Sequence, residues 1–187
     1  AVLDTDYSAA RYEGDNTRYV YVGTVGKLMP TFYIVGAETH GGDPFKGIDP
    51  NLISSAITNE IDLNTKYCDE AEGEVTVPPI TLRQQDLKPE YSVQTAKTSH
   101  LYFNYGTHVS TPDEVMAKVI EGADLAFQKV IDSLNVEYKK YCDSNKFPYE
   151  KLPWKSRVMS YDELYKKVKE ERGEEVDKLI EDLNKEL

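Results

Sequence analysis

Three features of the amino-acid sequence predict an α+β fold with two helices packed on one face of an antiparallel sheet. Strand-type and helix-type periodicities alternate in the order strand, helix, strand, strand, helix, strand. N-capping signals precede the two long apolar helical stripes, and a further amphipathic stretch follows the last strand. This order, βαββαβ, is that of a ferredoxin-like sandwich, here with a C-terminal helical extension, and it names no function by itself.

Residues 18–38 are dense in β-branched and aromatic side chains, YVYVG followed by KLMPTFYIVGAE, and predict two strand segments joined near Gly23 and Gly26. Gly41, Gly42, Asp43, Pro44 and Gly47 make residues 40–49 a loop. Asp49 and Pro50 then supply an N-cap and a first-turn proline, and Leu52, Ile53, Ala56, Ile57 and Ile61 form a stripe to about Leu63 that packs on a sheet. Residues 69–96 mix acids with three prolines and predict a long excursion with one edge strand at Val75–Val77. In HLYFNYGTH, residues 100–108, Leu101, Phe103 and Tyr105 alternate with Tyr102, Asn104 and Gly106, the period of a half-buried strand.

Thr111, Pro112 and Glu114 form a capping box with a first-turn proline, opening the longest helix, to about Tyr141. WKSRVM, residues 154–159, predicts the last strand. Ser160 and Glu163 form a second capping box, and Gly173 interrupts the helix that follows. From Glu174 onward Val176, Leu179, Ile180, Leu183 and Leu187 lie on one helical face.

A length of 187 residues, 40% hydrophobic and 29% charged, suits one globular domain, and no apolar run is long enough to cross a bilayer. AVLDTDYSAARY carries no secretory pattern and reads as a strand from a larger sheet. A net charge of −11 opposes binding to nucleic-acid phosphates. Cys68 and Cys142 lack metal-type spacing, which predicts two free thiols and a reducing cytoplasm.

Of the three histidines only His40 sits in a glycine-rich loop, where it is either a surface turn residue or the first candidate for chemistry. His100 and His108 stand at opposite ends of one predicted strand, about 26 Å apart, too far for one metal ion. Asp4 and Asp6 alternate on the N-terminal segment, as solvated acids or as a strand-end metal ligand. No catalytic Cys-His or Ser-His-Asp arrangement is recognisable, nor any G-x-G-x-x-G or phosphate loop.

Residues 22–57, VGTVGKLMPTFYIVGAETHGGDPFKGIDPNLISSAI, place a glycine-marked strand before G-x-x-T-H-x-G and a helix start near an Asn. This pattern resembles the lid domain of the carboxypeptidase G, desuccinylase and aminoacylase group of di-zinc amidohydrolases. GDNTRYVYVGTVGKLMP, ETHGGDPFKGID and EVTVPPITLRQQDLKPEYSVQT resemble its arginine-utilisation, RocB-like branch, and the likeness runs to about Gly173.

The resemblance implies a lid and dimerisation domain over residues 23–160. Residues 1–22 are then the end of a catalytic-domain strand and a linker, and residues 161–187 a helical segment returning to that catalytic domain. Asp6, in LDTDYS, matches the carboxylate that ligates one zinc, with Asp4 as the other register. His40 matches a histidine that enters the partner subunit's active site and hydrogen-bonds the developing oxyanion. The implied cofactor is zinc, two ions in the parent enzyme and none on this chain alone, because the remaining ligands and the general base lie outside these residues. The chain alone is therefore expected to be inactive. The implied partners are a second copy, through the lid, and a peptide or N-acyl amino acid, with an arginine-derived amide as one option.

Gly106 stands where many members carry an arginine that clamps a substrate carboxylate; Arg83, Lys88 and Lys97 are candidates to replace it. Two rival readings are a non-catalytic dimerisation module and a ferredoxin-like binder of small ligands.

Overall fold

The computed structural model describes residues 10–20 and 23–186; Asp4 and Asp6 lie outside them. The chain forms β1 (Gly26–Leu28), β2 (Thr31–Val35), α1 (Pro50–Ile61), the two-residue strands β3 (Glu70–Ala71) and β4 (Glu74–Val75), β5 (Ile80–Asp86), β6 (Thr98–Thr107), α2 (Pro112–Asn145), α3 (Tyr161–Arg172) and α4 (Glu175–Glu186).

β6 is the centre of the main antiparallel sheet, with β5 on one edge and β1 and β2 on the other. β1 and β2 keep one register against β6 and are a single strand interrupted at Met29 and Pro30. Proline has no N–H to give, so only half of that pair's bonding survives: Phe103 N–H donates to Pro30 O at 3.2 Å. β3 and β4 form a separate small hairpin, turned by Glu72 and Gly73 at positive φ.

The alternation along β6 sorts the two faces. Ser99, Leu101, Phe103, Tyr105 and Thr107 are buried under α1 and α2, whereas His100, Tyr102, Asn104 and Gly106 lie half-buried on the open face. Ile53, Ile57 and Ile61 of α1 and Val115, Val119, Ala123, Ala126, Val130 and Ile131 of α2 close the core over them. Each fully buried aliphatic or aromatic side chain there contributes roughly 1.5–3 kcal/mol. All three expected caps are present, the Ser160–Glu163 box that opens α3 among them. Asp49 accepts from Asn51 N–H, and Thr111 and Glu114 form a reciprocal capping box.

Tyr67, buried beside α2, packs its hydroxyl on the backbone of Gly122, where a Cβ would meet Tyr67 Oη at 2.1 Å. Burial, with Glu60 and Glu121 nearby, pushes the Tyr67 phenol up to about 12. Gly122→Ala forces this ring out of its seat and is expected to lower stability by about 1–3 kcal/mol in urea unfolding.

The α+β sandwich is as expected, with three differences in its strands. Among the described residues the first strand begins at Gly26, and Arg18–Val20, expected to be in a strand, are not; Asp15 instead organises a turn, accepting from Arg11 N–H, Thr17 N–H and Tyr19 Oη. Of Val75–Val77 in the 69–96 excursion only Val75 is in a strand, in the small β3–β4 hairpin, and the segment that joins the main sheet is β5. Its helix-facing residues Thr81, Gln84 and Asp86 are polar, and Gln84 and Asp86 bond to Ser54, Ser55, Thr58 and Asn51 of α1. An apolar pattern is therefore missing where a strand exists. Residues 154–159 form no strand: the alternation survives, with Trp154, Ser156 and Val158 half-buried and Lys155 and Arg157 exposed, but no ladder joins them to β2.

Candidate functional site

His40 lies between β2 and α1, exposed at the turn of residues 39–43. The chain on either side of it is fixed. Ala37 and Ile48 exchange backbone hydrogen bonds at 2.9 and 3.0 Å, closing the base of the loop. Thr95 N–H donates to Thr39 O, Thr39 N–H donates to Thr95 Oγ1, and Gly41 N–H donates to Val93 O. Thr39 Oγ1 also donates to Asp43 O at 2.9 Å. The loop thus borrows a second wall from residues 93–95, and its rigidity rests on backbone hydrogen bonds.

The ring itself makes one specific contact: Gly42 N–H donates to His40 Nδ1 at 2.9 Å. With Nδ1 as the acceptor, the neutral imidazole carries its proton on Nε2 and offers it outward as a donor. A Cβ on residue 42 would stand 3.1 Å from Nδ1, so glycine keeps this approach open.

Just beyond, Phe45 seats the loop on the C-terminal half of α2, its ring centroid 4.9 Å from Tyr138 and 5.4 Å from Tyr141. These rings, with Phe147, Asp43 and Lys46, line a shallow pocket of about 230 Å³. Phe45→Ala is expected to cost about 1–2 kcal/mol in thermal or urea unfolding, because an aromatic pair adds about 0.5–1.5 kcal/mol beyond area burial.

The other candidates lie apart from this loop. His100 sits on the open face beside Tyr102, ring centroids 5.4 Å apart, and His108 follows the far end of β6. Arg83 is on the same open face and donates to Gln85 Oε1. Lys88 donates to Ser92 O and Gln94 O and so braces the loop behind His40. Lys97 is exposed just before β6. Gly106 pairs with Lys27 of β1 on the open face.

A residue without a visible sequence signal is Asp69. Its carboxylate Oδ2 accepts from the backbone N–H groups of His108, Val109 and Ser110, each at 2.8 Å. These three donors, Ser110 first, hold the carboxyl well below the usual carboxylate range. The contact ties the β3–β4 hairpin to the turn that starts α2.

Among the described residues no group of three His, Cys, Asp or Glu side chains converges as metal ligands. These residues do not fit a zinc centre of their own. Nor is any described helix long and apolar enough to cross a membrane.

No family model matches the chain. It is 39% identical to RocB of Bacillus subtilis (strain 168) over 181 residues, 97% of this chain and 32% of RocB. It is 34% identical to the uncharacterized protein YqjN of the same organism over 173 residues, 92% of this chain and 31% of YqjN. The chain spans about a third of the length of the curated relatives it matches.

Proposed function

We propose, from this RocB-like relationship, that the chain is the lid and dimerisation domain of a zinc-dependent amidohydrolase, and that His40 is its contribution to catalysis. The observation that carries this reading is the His40 turn. Gly42 N–H engages Nδ1, which directs an Nε2–H donor outward from an exposed loop that backbone bonds hold rigid. Such a donor is suited to the oxyanion that forms as an amide carbonyl is attacked, and it costs little reorganisation because the loop is already fixed. Since the described residues build no metal centre, the zinc is held outside them, and this chain's part is to position and donate. The substrate class is a peptide or N-acyl amino acid, with an arginine-derived amide among the candidates.

A second copy completes this arrangement. Among the described residues no strand pairs with the outer edge of β5, where Thr81 N–H donates to Asp62 Oδ1; Ile80 and Leu82 are exposed along it, and α1 flanks it with exposed Leu52. An exposed edge strand of this length is a pairing template, and twofold pairing there would make the contact self-complementary. In the rival, non-catalytic reading the same edge forms a dimer and His40 is a surface residue.

Metal removal separates the two. The full-length protein is expected to hydrolyse members of a panel of dipeptides and N-acyl amino acids, to lose that activity on dialysis against a chelator, and to regain it with added zinc. Activity that survives complete removal of zinc contradicts the proposal, as does a dimer that hydrolyses no member of the panel.

A further inference from the structure

The outer edge of β2 and residues 154–159 face each other across a groove of about 540 Å³ that neither side fills. Gly36 N–H donates to Lys97 O and Phe103 N–H to Pro30 O, which sets the phase of the pairing with β6. The even-numbered residues of β2 bond inward, so the N–H and C=O groups of Thr31, Tyr33 and Val35 point into the groove. Three donors and three acceptors at strand spacing are what another extended segment would satisfy.

Residues 154–159 have the pattern for it. Trp154, Ser156 and Val158 turn inward while Lys155 and Arg157 face solvent, and Trp154 and Val158 already pack on the core. The Trp154 indole Nε1 is buried without a hydrogen-bond partner. Among the described residues one hydrogen bond holds the segment itself, from Ser156 Oγ to Asp124 Oδ1 of α2 at 2.5 Å, and just before it Leu152 N–H donates to Asn135 Oδ1 of α2 at 2.9 Å. Among the described residues no hydrogen bond joins the segment to β2.

We propose that residues 154–159 are a strap with two seats. In the first seat the Ser156–Asp124 bond holds it against α2. In the other it adds to β2 as a fourth strand, fills the groove and pairs Thr31, Tyr33 and Val35. Covering the half-buried Phe32 and Phe127, which line the groove beside the already buried Ile34, Ile53 and Ile57, favours the second seat, and the ties to α2 oppose it. Because Ser160 caps α3 directly after the strap, and Leu164 of α3 lines the same groove, a change of seat shifts the start of α3. The device links the sheet edge to the α3–α4 hairpin, and it stands whether or not His40 is catalytic.

Residue-resolved amide exchange on the wild type, Ser156→Ala and Asp124→Ala tests this. In the wild type Phe32 and Ile34 are protected by β6, whereas Thr31, Tyr33 and Val35 exchange freely. Freeing the strap is expected to slow exchange at Thr31, Tyr33 and Val35 by about tenfold or more, with Phe32 and Ile34 unchanged. Equal protection of all five in the wild type, or no slowing in either variant while Ile34 stays protected, overturns the proposal. Protection at Ile34 reports that a variant is folded, and Asp124→Ala, which removes the acceptor by altering one exposed side chain of α2, decides if Ser156→Ala loses it.

Discussion

Replacing His40 by alanine in the full-length protein is expected to lower kcat for amide hydrolysis about 100 to 1,000-fold, the usual consequence of deleting one oxyanion donor. KM is expected to change little, since the lost hydrogen bond forms to charge that develops only in the transition state. The fold is expected to be intact, because the ring is exposed and the loop is held by Thr39, Gly41, Val93 and Thr95 through their backbones and the Thr95 hydroxyl. Steady-state kinetics beside a urea-unfolding curve separate the effects. Unchanged kcat in a folded variant removes His40 from the chemistry.

The largest loss of stability is expected from Asp69→Ala. Truncation leaves the N–H groups of His108, Val109 and Ser110 without their acceptor in a partly buried turn. Hydrogen bonds to a charged acceptor contribute roughly 1.5–3 kcal/mol each, and water recovers part of that for an opened turn, so a net loss of about 3 kcal/mol is expected. For a domain of this size that lowers Tm by about 6–12 °C. The contact also sets an acid limb. The folded-state pKa of Asp69 is depressed, so its stabilisation is fully present above the unfolded-state value of about 3.9 and is lost as pH falls below it. The wild type should therefore lose its stability advantage over the variant as pH drops from 5 towards 2. A difference independent of pH over that range contradicts this role for the carboxylate.

Where side-chain chemistry and backbone geometry agree, the fold is legible in the residues themselves. α1 and α2 start at their caps because Asp49 and Thr111 each accept a hydrogen bond within the first turn and a proline follows. β6 is visible because Leu101, Phe103 and Tyr105 must be buried every second residue. β5 is not, because it meets α1 through Gln84 and Asp86 hydrogen bonds that leave no hydrophobic trace. The strand pattern of residues 154–159 is real as an alternation, yet Ser156 and Leu152 are tied to α2, and alternation says nothing about which neighbour supplies the backbone partners.

At the candidate site the glycine-flanked His40 is evident from sequence. Its support is not: the partners Val93 and Thr95 lie more than fifty residues away along the chain, and Phe45 finds Tyr138 and Tyr141 only once α2 is in place. Asp69 is one acid among many in an acidic segment, and only the turn at residues 108–110 gives it a task.

Subunit mixing tests most directly whether the His40 imidazole serves a neighbouring copy. Two inactive full-length variants are combined, one carrying His40→Ala and the other lacking a zinc ligand outside these residues, and are allowed to exchange subunits. Heterodimers then contain one site with an intact metal centre and an intact His40 from the partner, and activity should return to about a quarter of the wild-type level, the value for random pairing with one competent site per mixed dimer. A mixture that exchanges subunits, as native mass spectrometry would report, yet stays inactive contradicts donation between subunits.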